Sequence, residues 1–469
     1  MSDLRFASSN PPAALVRLRD AREHQPSPAR SRAAAKRRSR TILDPRTPAE
    51  RDRDRILYSS AFRRLGQVTQ VVGTTEIQLF HNRLTHSLKV AQIGRRLAER
   101  LVRTTSHKRL VTAGWIDPDV VEAACLAHDI GHPPFGHIAE QELQRCLGRY
   151  RVDSFEGNAQ SFRIVTKLAV RSTSEPGLNL TRATLRAILK YPWDYRDRAH
   201  LPKSLSKWGA YASERNQLSH ALQGYSGKLP AAEARLMDWA DDVTYAVHDV
   251  EDFYRAGLIP LDRLANSRIE RRNFLNYLRQ RLPGQEPRLT RALDDVAGAI
   301  FPSKPYSGSR SDRAFVHDIA SAMITRYMQA VTLDSNGEVL IDPDSQTEVS
   351  VLKQLTWMYV IDDPALASIQ TGYRKVVREL FAELKLMCDR AWTSYQDWAR
   401  LPTQLRNSVS IGRADLRGSG KTPINTNRIG ARAAADYIAS LTEAQAIDLY
   451  LRLTGGEFRG SVFERWIRR

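Results

Sequence analysis

Residues 231–255 (AAEARLMDWADDVTYAVHDVEDFYR) run through strong helix formers with no glycine or proline, which predicts a single helix and excludes a strand there. Other segments repeat the pattern. In residues 83–103 (RLTHSLKVAQIGRRLAERLVR), Leu84, Leu88, Ala91, Leu97 and Leu101 recur at helical spacings. Asp117 and Pro118 read as the cap and first turn of a helix through VVEAACLAHDI that stops before Gly131. Pro133–Pro134 precedes another in FGHIAEQELQRCL, and FEGNAQSFRIVTKLAV continues the series. An earlier helical pattern begins near Thr47, where acids come early and Ile56, Leu57, Ala61 and Leu65 recur; later ones occupy residues 364–400 and 428–453. Only two stretches break the pattern. Residues 68–79 (VTQVVGTTEIQL) predict an extended segment or hairpin around Gly73, and the polar residues 331–350 a hairpin or loop. No repeat at solenoid spacing occurs. The expected fold class is mostly α.

The 469 residues allow several domains or one large helical one. Lys+Arg exceed Asp+Glu by 71 − 52 = 19, and such a field attracts anions: nucleotides, nucleic acid or an acidic membrane face. Six of the basic residues fall between Arg30 and Arg40 with no acid among them, so residues 1–45 read as a basic flexible arm that could contact nucleic acid. Cys125, Cys146 and Cys388 cannot form a disulfide framework and lack zinc-finger spacing, which fits a reducing compartment. The first residues lack an apolar leader and no run of 18 apolar residues exists, so neither secretion nor membrane spanning is expected.

Three segments carry more chemistry than a core needs: HNRLTHS (81–87), HDIGHPPFGHIAE (128–140) and DDVTYAVHD (241–249). The second holds three of the chain's 11 histidines in 13 residues. His128–Asp129 at a helix end, His86 on another helix and a carboxylate from the third segment offer two imidazoles and two carboxylates, a donor set for a divalent ion such as Mn, Fe, Co, Ni, Zn or Mg. Asp241, Tyr245 and Asp249 share one helical face, whereas Asp242 points about 100° away. His137 and Glu140 are one turn apart, and a carboxylate there fixes the imidazole tautomer and supports proton transfer.

HNRLTHS, HDIGHPPFGHIAE, FEGNAQ, LKYPW and DWADDVTYAVHD together resemble the HD-domain superfamily, and within it the deoxynucleoside triphosphate triphosphohydrolases (the dGTPase-like family). The resemblance covers residues 50–260 and extends to RAAADYIASLTEAQA at 432–446. It implies an HD-domain helical core at 46–260 and a helical C-terminal region at 261–469 packed on it. It implies one divalent metal per active site on His86, His128, Asp129 and either Asp241 or Asp242, and the shared face with Tyr245 and Asp249 selects Asp241. It further implies His137 and Glu140 as the acid/base pair and His132 as another active-site histidine. Arg83 would bind phosphate, Lys190 and Tyr191 would line the triphosphate path, Gln70 would reach the sugar 3′-hydroxyl with Val71 beside the base, and Tyr245 would face the sugar near Asp249. The implied reaction is metal-dependent hydrolysis of dGTP or several dNTPs to deoxynucleoside and inorganic triphosphate. The resemblance also implies a homo-oligomer, a hexamer among the options; a second dNTP as allosteric activator is left open, the cysteine usage fits a cytoplasmic location, and the basic surface offers a contact for single-stranded nucleic acid.

Two other readings are kept: another HD nucleotide phosphohydrolase or phosphodiesterase, and a nucleic-acid-binding regulator with a secondary HD site. The P-loop-like GSGKT (418–422) is set aside, because Asp415 stands where the first glycine belongs and Pro423 where a helix must begin. His81, His107, His200 and His220 have no evident partners in sequence, and His248 suits an inter-helix hydrogen bond. Arg63–Arg64 is read either as a helix-surface pair or as a phosphate or inter-subunit contact.

Overall fold

The computed structural model describes residues 10–24, 44–71, 81–197, 206–225, 229–418 and 425–456. The basic run Arg30–Arg40, the Gly73 turn, His200 and most of GSGKT fall outside those residues. Among them the fold is mostly α. The elements that build the site are α1 (Ala13–Asp20), α2 (Pro48–Leu57), α3 (Arg83–Thr104), α4 (Pro118–Ala127), α5 (Gly136–Gly148), α6 (Gly157–Arg163) and α7 (Ala232–Arg255). Helices at Leu261–Asn266, Arg268–Arg281, Glu286–Ile300 and Arg310–Gln329 follow. Next come a hairpin of β1 (Val331–Leu333) and β2 (Val339–Ile341), then α8 (Pro343–Thr356), α9 (Pro364–Arg390), α10 (Thr426–Ala439) and α11 (Glu443–Thr454). The hairpin pairs Val331 with Ile341 and Leu333 with Val339. It uses only the first half of the segment read as hairpin or loop; Asp342 then caps α8, accepting from Ser345 N at 2.9 Å. No helix among the described residues is long and apolar enough to cross a membrane.

Local chemistry explains the boundaries. Thr47 and Glu50 form a reciprocal capping box at α2. Asp117 accepts from Asp119 N at 2.9 Å with Pro118 in the first turn of α4, as the sequence predicts. The helix read at 364–400 instead breaks after Arg390 and resumes at Tyr395, where Ser394 caps the new helix.

Two findings correct the sequence reading of packing. Of the α3 stripe read in sequence, Ala91, Leu97 and Leu101 are buried, but Leu88 is 45% exposed; Arg83, His86, Val90 and Ile93 complete the inward face. Residues 10–24 also do not behave as an arm. Arg19 of α1 is buried against Glu233 of α7 at 2.6 Å, and Arg22 reaches the fully buried Asp52 at 2.7 Å.

Two large apolar clusters, with a smaller one around Trp193 and Trp208, hold the described residues together. One runs from Ile56 through Leu97, Val121 and Leu236 to Leu293 and Leu355, so it continues across residue 260. The other joins Leu143 and Leu147 of α5 to Phe381, Leu384, Ala434 and Leu449 of the last helices. A buried ionic relay links the two halves. Arg163 lies 2.9 Å from Asp436 of α10 and 2.6 Å from Glu214, with its side chain 1% exposed. Removing one partner of such a set leaves charges buried without compensation. Arg163→Met is expected to lower unfolding free energy by about 3–5 kcal/mol in urea titrations; a loss below about 1 kcal/mol, the worth of an exposed pair, would contradict the relay's role.

Candidate active site

Three helices supply the central cluster. Asn82 caps α3, accepting from Thr85 N at 2.9 Å, and this places Arg83 and His86 on the first buried turn. α4 ends at His128, and α7 brings Asp241 opposite. His86 Nε2 is 2.9 Å and His128 Nε2 3.5 Å from Asp241 Oδ1. His128 Nδ1 donates to the Cys125 carbonyl at 2.6 Å, so in the neutral imidazole the lone pair sits on Nε2. That Nε2 is buried and has no hydrogen-bond partner. Nδ1 anchored on a carbonyl, Nε2 unsatisfied and a carboxylate in reach fit a metal-binding triad; ligand atoms of His86, His128 and Asp241 lie within 4.8 Å of one another.

Asp129 adjoins this triad. Its Oδ1 lies 3.6 Å from His128 Nε2 and 2.9 Å from His132 Nδ1, and its Oδ2 accepts from Arg83 Nη1 at 2.6 Å. Burial disfavours its charge, but His132, His128 and Arg83 outweigh that and hold the carboxyl well below the usual range. Asp241 is likewise kept ionised against burial by His128 and His86. Asp242, by contrast, pairs with Lys353 of α8 at 2.6 Å.

His137 and Glu140 meet on α5. The Glu140 Oε2 accepts from His137 Nδ1 at 2.9 Å, and Oε1 accepts from Gly157 N at 2.8 Å. Glu140 is buried, whereas the His137 side chain is 61% exposed. Burial pushes Glu140 up, but the His137 hydrogen bond and the neighbouring His132 bring it down to about 2. The result is an ionised, fixed carboxylate behind an accessible imidazole. The His132 and His137 rings are 5.3 Å apart, so this pair adjoins the Asp129 side of the metal cluster.

The remaining predicted residues divide. Tyr245 and Asp249 follow Asp241 along the α7 face; Asp249 is buried, and its Oδ2 has no hydrogen-bond partner. Burial, with Asp252 and Asp241 nearby, pushes its carboxyl well up. Lys190 pairs with Asp238, one turn before Asp242, and its Nζ is 5.9 Å from the Tyr191 ring centroid. Gln70 has a buried, unpartnered Oε1. Val71 packs against the main apolar cluster, and no described contact joins it to the histidines. His81, read as having no evident partner, meets Lys89 and Asp252, and His248 makes the inter-helix contact its position suits, to Lys89 of α3.

Several residues that matter here were not legible in sequence. Arg64 is buried and donates to the carbonyls of Ile130 (3.0 Å), His132 (2.6 Å) and Leu441 (3.0 Å). It clamps the loop between α4 and α5, so neither reading of the Arg63–Arg64 pair describes it. Glu443 of α11 accepts from Thr69 N (2.8 Å) and Phe135 N (3.1 Å), tying the last helix to the segments before α3 and α5. Glu156 caps α6 and is pushed up to about 7 by burial and by Glu140. Gly131 has no space for a side chain, since a Cβ would meet Ser161 N at 2.2 Å and Gly157 O at 2.3 Å. Such backbone and long-range partners carry no local pattern; the quoted blocks FEGNAQ, HDIGHPPFGHIAE and RAAADYIASLTEAQA contain Glu156, Gly131 and Glu443 but give none of them a role.

A buried His–Asp cluster on three helices beside a carboxylate-backed histidine defines an HD-domain hydrolase, and the HD domain model matches residues 83–246. A phosphohydrolase-associated domain model matches residues 339–452, the region that delivers Asp436 and Glu443. The chain is 35% identical to a deoxyguanosinetriphosphate triphosphohydrolase-like protein of Streptomyces coelicolor, over 87% of this chain and 93% of that one. It is 33% identical to the protein so named in Corynebacterium efficiens (90% and 94% covered), and 32% identical to one of a Caulobacter species (91% and 94%). The chain belongs to the deoxyguanosinetriphosphate triphosphohydrolase-like family.

Proposed function

We propose that this protein hydrolyses dNTPs, dGTP or several of them, to deoxynucleoside and inorganic triphosphate. The carrying observation is the His137–Glu140 pair at 2.9 Å next to the His86/His128/Asp241 cluster. A divalent ion (Mn, Mg, Co, Ni, Fe or Zn) on His86, His128, Asp129 and Asp241 would supply Lewis-acid polarisation and water activation. In the proposed reaction, water oxygen bonds to the α-phosphorus and the bond to the sugar 5′-oxygen breaks. That alkoxide is a poor leaving group and needs a proton. His137, protonated and held at Nδ1 by Glu140, gives it from Nε2. His132, which burial and Arg83 push toward the neutral form, stands beside it. Arg83 keeps a buried, unpartnered Nε while its Nη1 sits on Asp129, so donors remain for a phosphate. Lys190 and Tyr191 line the triphosphate path. The sugar stacks on Tyr245, leaving no room for a 2′-hydroxyl, with Gln70 at the 3′-hydroxyl, Asp249 near the sugar and Val71 beside the base. The orphaned buried oxygens of Asp249 and Gln70 support that arrangement.

The test is chromatography of products from each dNTP, singly and in mixtures, with and without chelator. Deoxynucleoside and triphosphate that vanish with chelator are expected; dNMP or dNDP as product would overturn the reading. Mixtures also test a second dNTP as activator. The three free, buried cysteines support a reducing, cytoplasmic setting. The proposal extends to a homo-oligomer, checked by sedimentation, and to single-stranded nucleic acid on the basic surface, checked by a steep salt dependence of binding.

A further inference from the structure

We infer that Lys353, supplied by α8 from outside the HD helices, contacts the phosphate chain of the substrate and is held on Asp242 in the free protein. The inference rests on the dNTP reading above. Lys353 Nζ is 2.6 Å from Asp242 Oδ1 and 5.6 Å from the Tyr245 ring centroid. It therefore lies between the turn that carries Asp241 and the proposed sugar platform. The two side chains are 31% and 36% exposed, so the pair faces solvent at the edge of the site. Exposed pairs of this kind hold each other weakly, and a polyanion competes well for the ammonium. The flexible four-carbon stem of lysine lets the charge move without moving the helix. Lys190 is placed in the same way on Asp238, one turn earlier on α7. Two lysines resting on carboxylates thus flank Asp241, whose carboxylate lies within 4.8 Å of those of Asp238 and Asp242. The rival account makes Lys353 a strap between α7 and α8 with no ligand contact.

The two accounts separate in binding of inorganic triphosphate to the full chain, measured by titration calorimetry. Lys353→Met is expected to weaken that binding about tenfold, the usual effect of losing one hydrogen bond to a charged group, with metal content unchanged. Lys353→Arg should retain most of it. Asp242→Asn should bind triphosphate as well as the unaltered protein or tighter, because its lysine is released. In turnover, Lys353→Met should raise KM with kcat nearly kept. Unaltered triphosphate binding by Lys353→Met would overturn the inference, and so would an Asp242→Asn variant that weakens as much as Lys353→Met. Should Lys353→Met not fold, Lys353→Gln against Asp242→Asn decides by the same criteria. Triphosphate binding that depends on Lys353 in a protein that turns over no dNTP would overturn the function proposed above and leave the lysine contact standing.

Discussion

Asp241→Asn is expected to lose bound metal and turnover together, while the neighbouring Asp242→Asn keeps its metal. The two carboxylates lie within 4.8 Å of each other, yet their partners differ. Asp241 Oδ1 lies 2.9 Å from His86 Nε2 and 3.5 Å from His128 Nε2, whereas Asp242 is engaged by Lys353. Asparagine keeps the shape at 241 but removes the negative charge that a divalent ion requires. Loss of partners one layer out from a metal already costs about 10–100-fold in affinity, so loss of a ligand should exceed that. Elemental analysis of both purified variants checks the assignment. Full metal occupancy in Asp241→Asn, or loss of metal in Asp242→Asn, would reverse it.

His137→Ala should fold, bind metal and bind triphosphate, yet lose about 10²–10⁴-fold in kcat, the usual worth of a positioned general acid or base. The side chain is 61% exposed, so truncation leaves no large cavity. Glu140→Gln tests the same unit from behind. The carboxylate accepts from both His137 Nδ1 and Gly157 N. An amide there is a weaker acceptor for both donors and holds the imidazole less firmly, so the rate should again fall. A near-normal rate for His137→Ala would move the acid role, with His132 the next candidate.

How much of this was legible in the sequence follows from how local each signal is. Asp117–Pro118 announces α4 because a cap and a first-turn proline act within three residues. The breaker-free run gives α7 almost to the residue, and the 241/245/249 spacing puts Asp241 on the side where His86 and His128 converge. The His137–Glu140 contact is a one-turn relation and needs no tertiary knowledge. Apolar periodicity finds Ala91, Leu97 and Leu101 on the buried face of α3 but fails in its first turns, where Arg83 and His86 rather than Leu88 point inward. The roles of Arg64 and Glu443 carry no local signal, because their partners are largely backbone groups 66 to 377 positions away. The arm was drawn too long for a related reason. The charge of Arg19 and Arg22 suggests solvent, but the acids that accept them, Glu233 and Asp52, lie on other helices.

The central claim is that water attacks the α-phosphorus while His137 serves the departing 5′-oxygen. Hydrolysis of a dNTP in heavy-oxygen water, followed by mass spectrometry of both products, tests it directly. The account predicts one solvent oxygen in the inorganic triphosphate and none in the deoxynucleoside. Label in the deoxynucleoside would mean attack at carbon, and recovery of labelled monophosphate or pyrophosphate would mean attack at another bond; either result would contradict the mechanism.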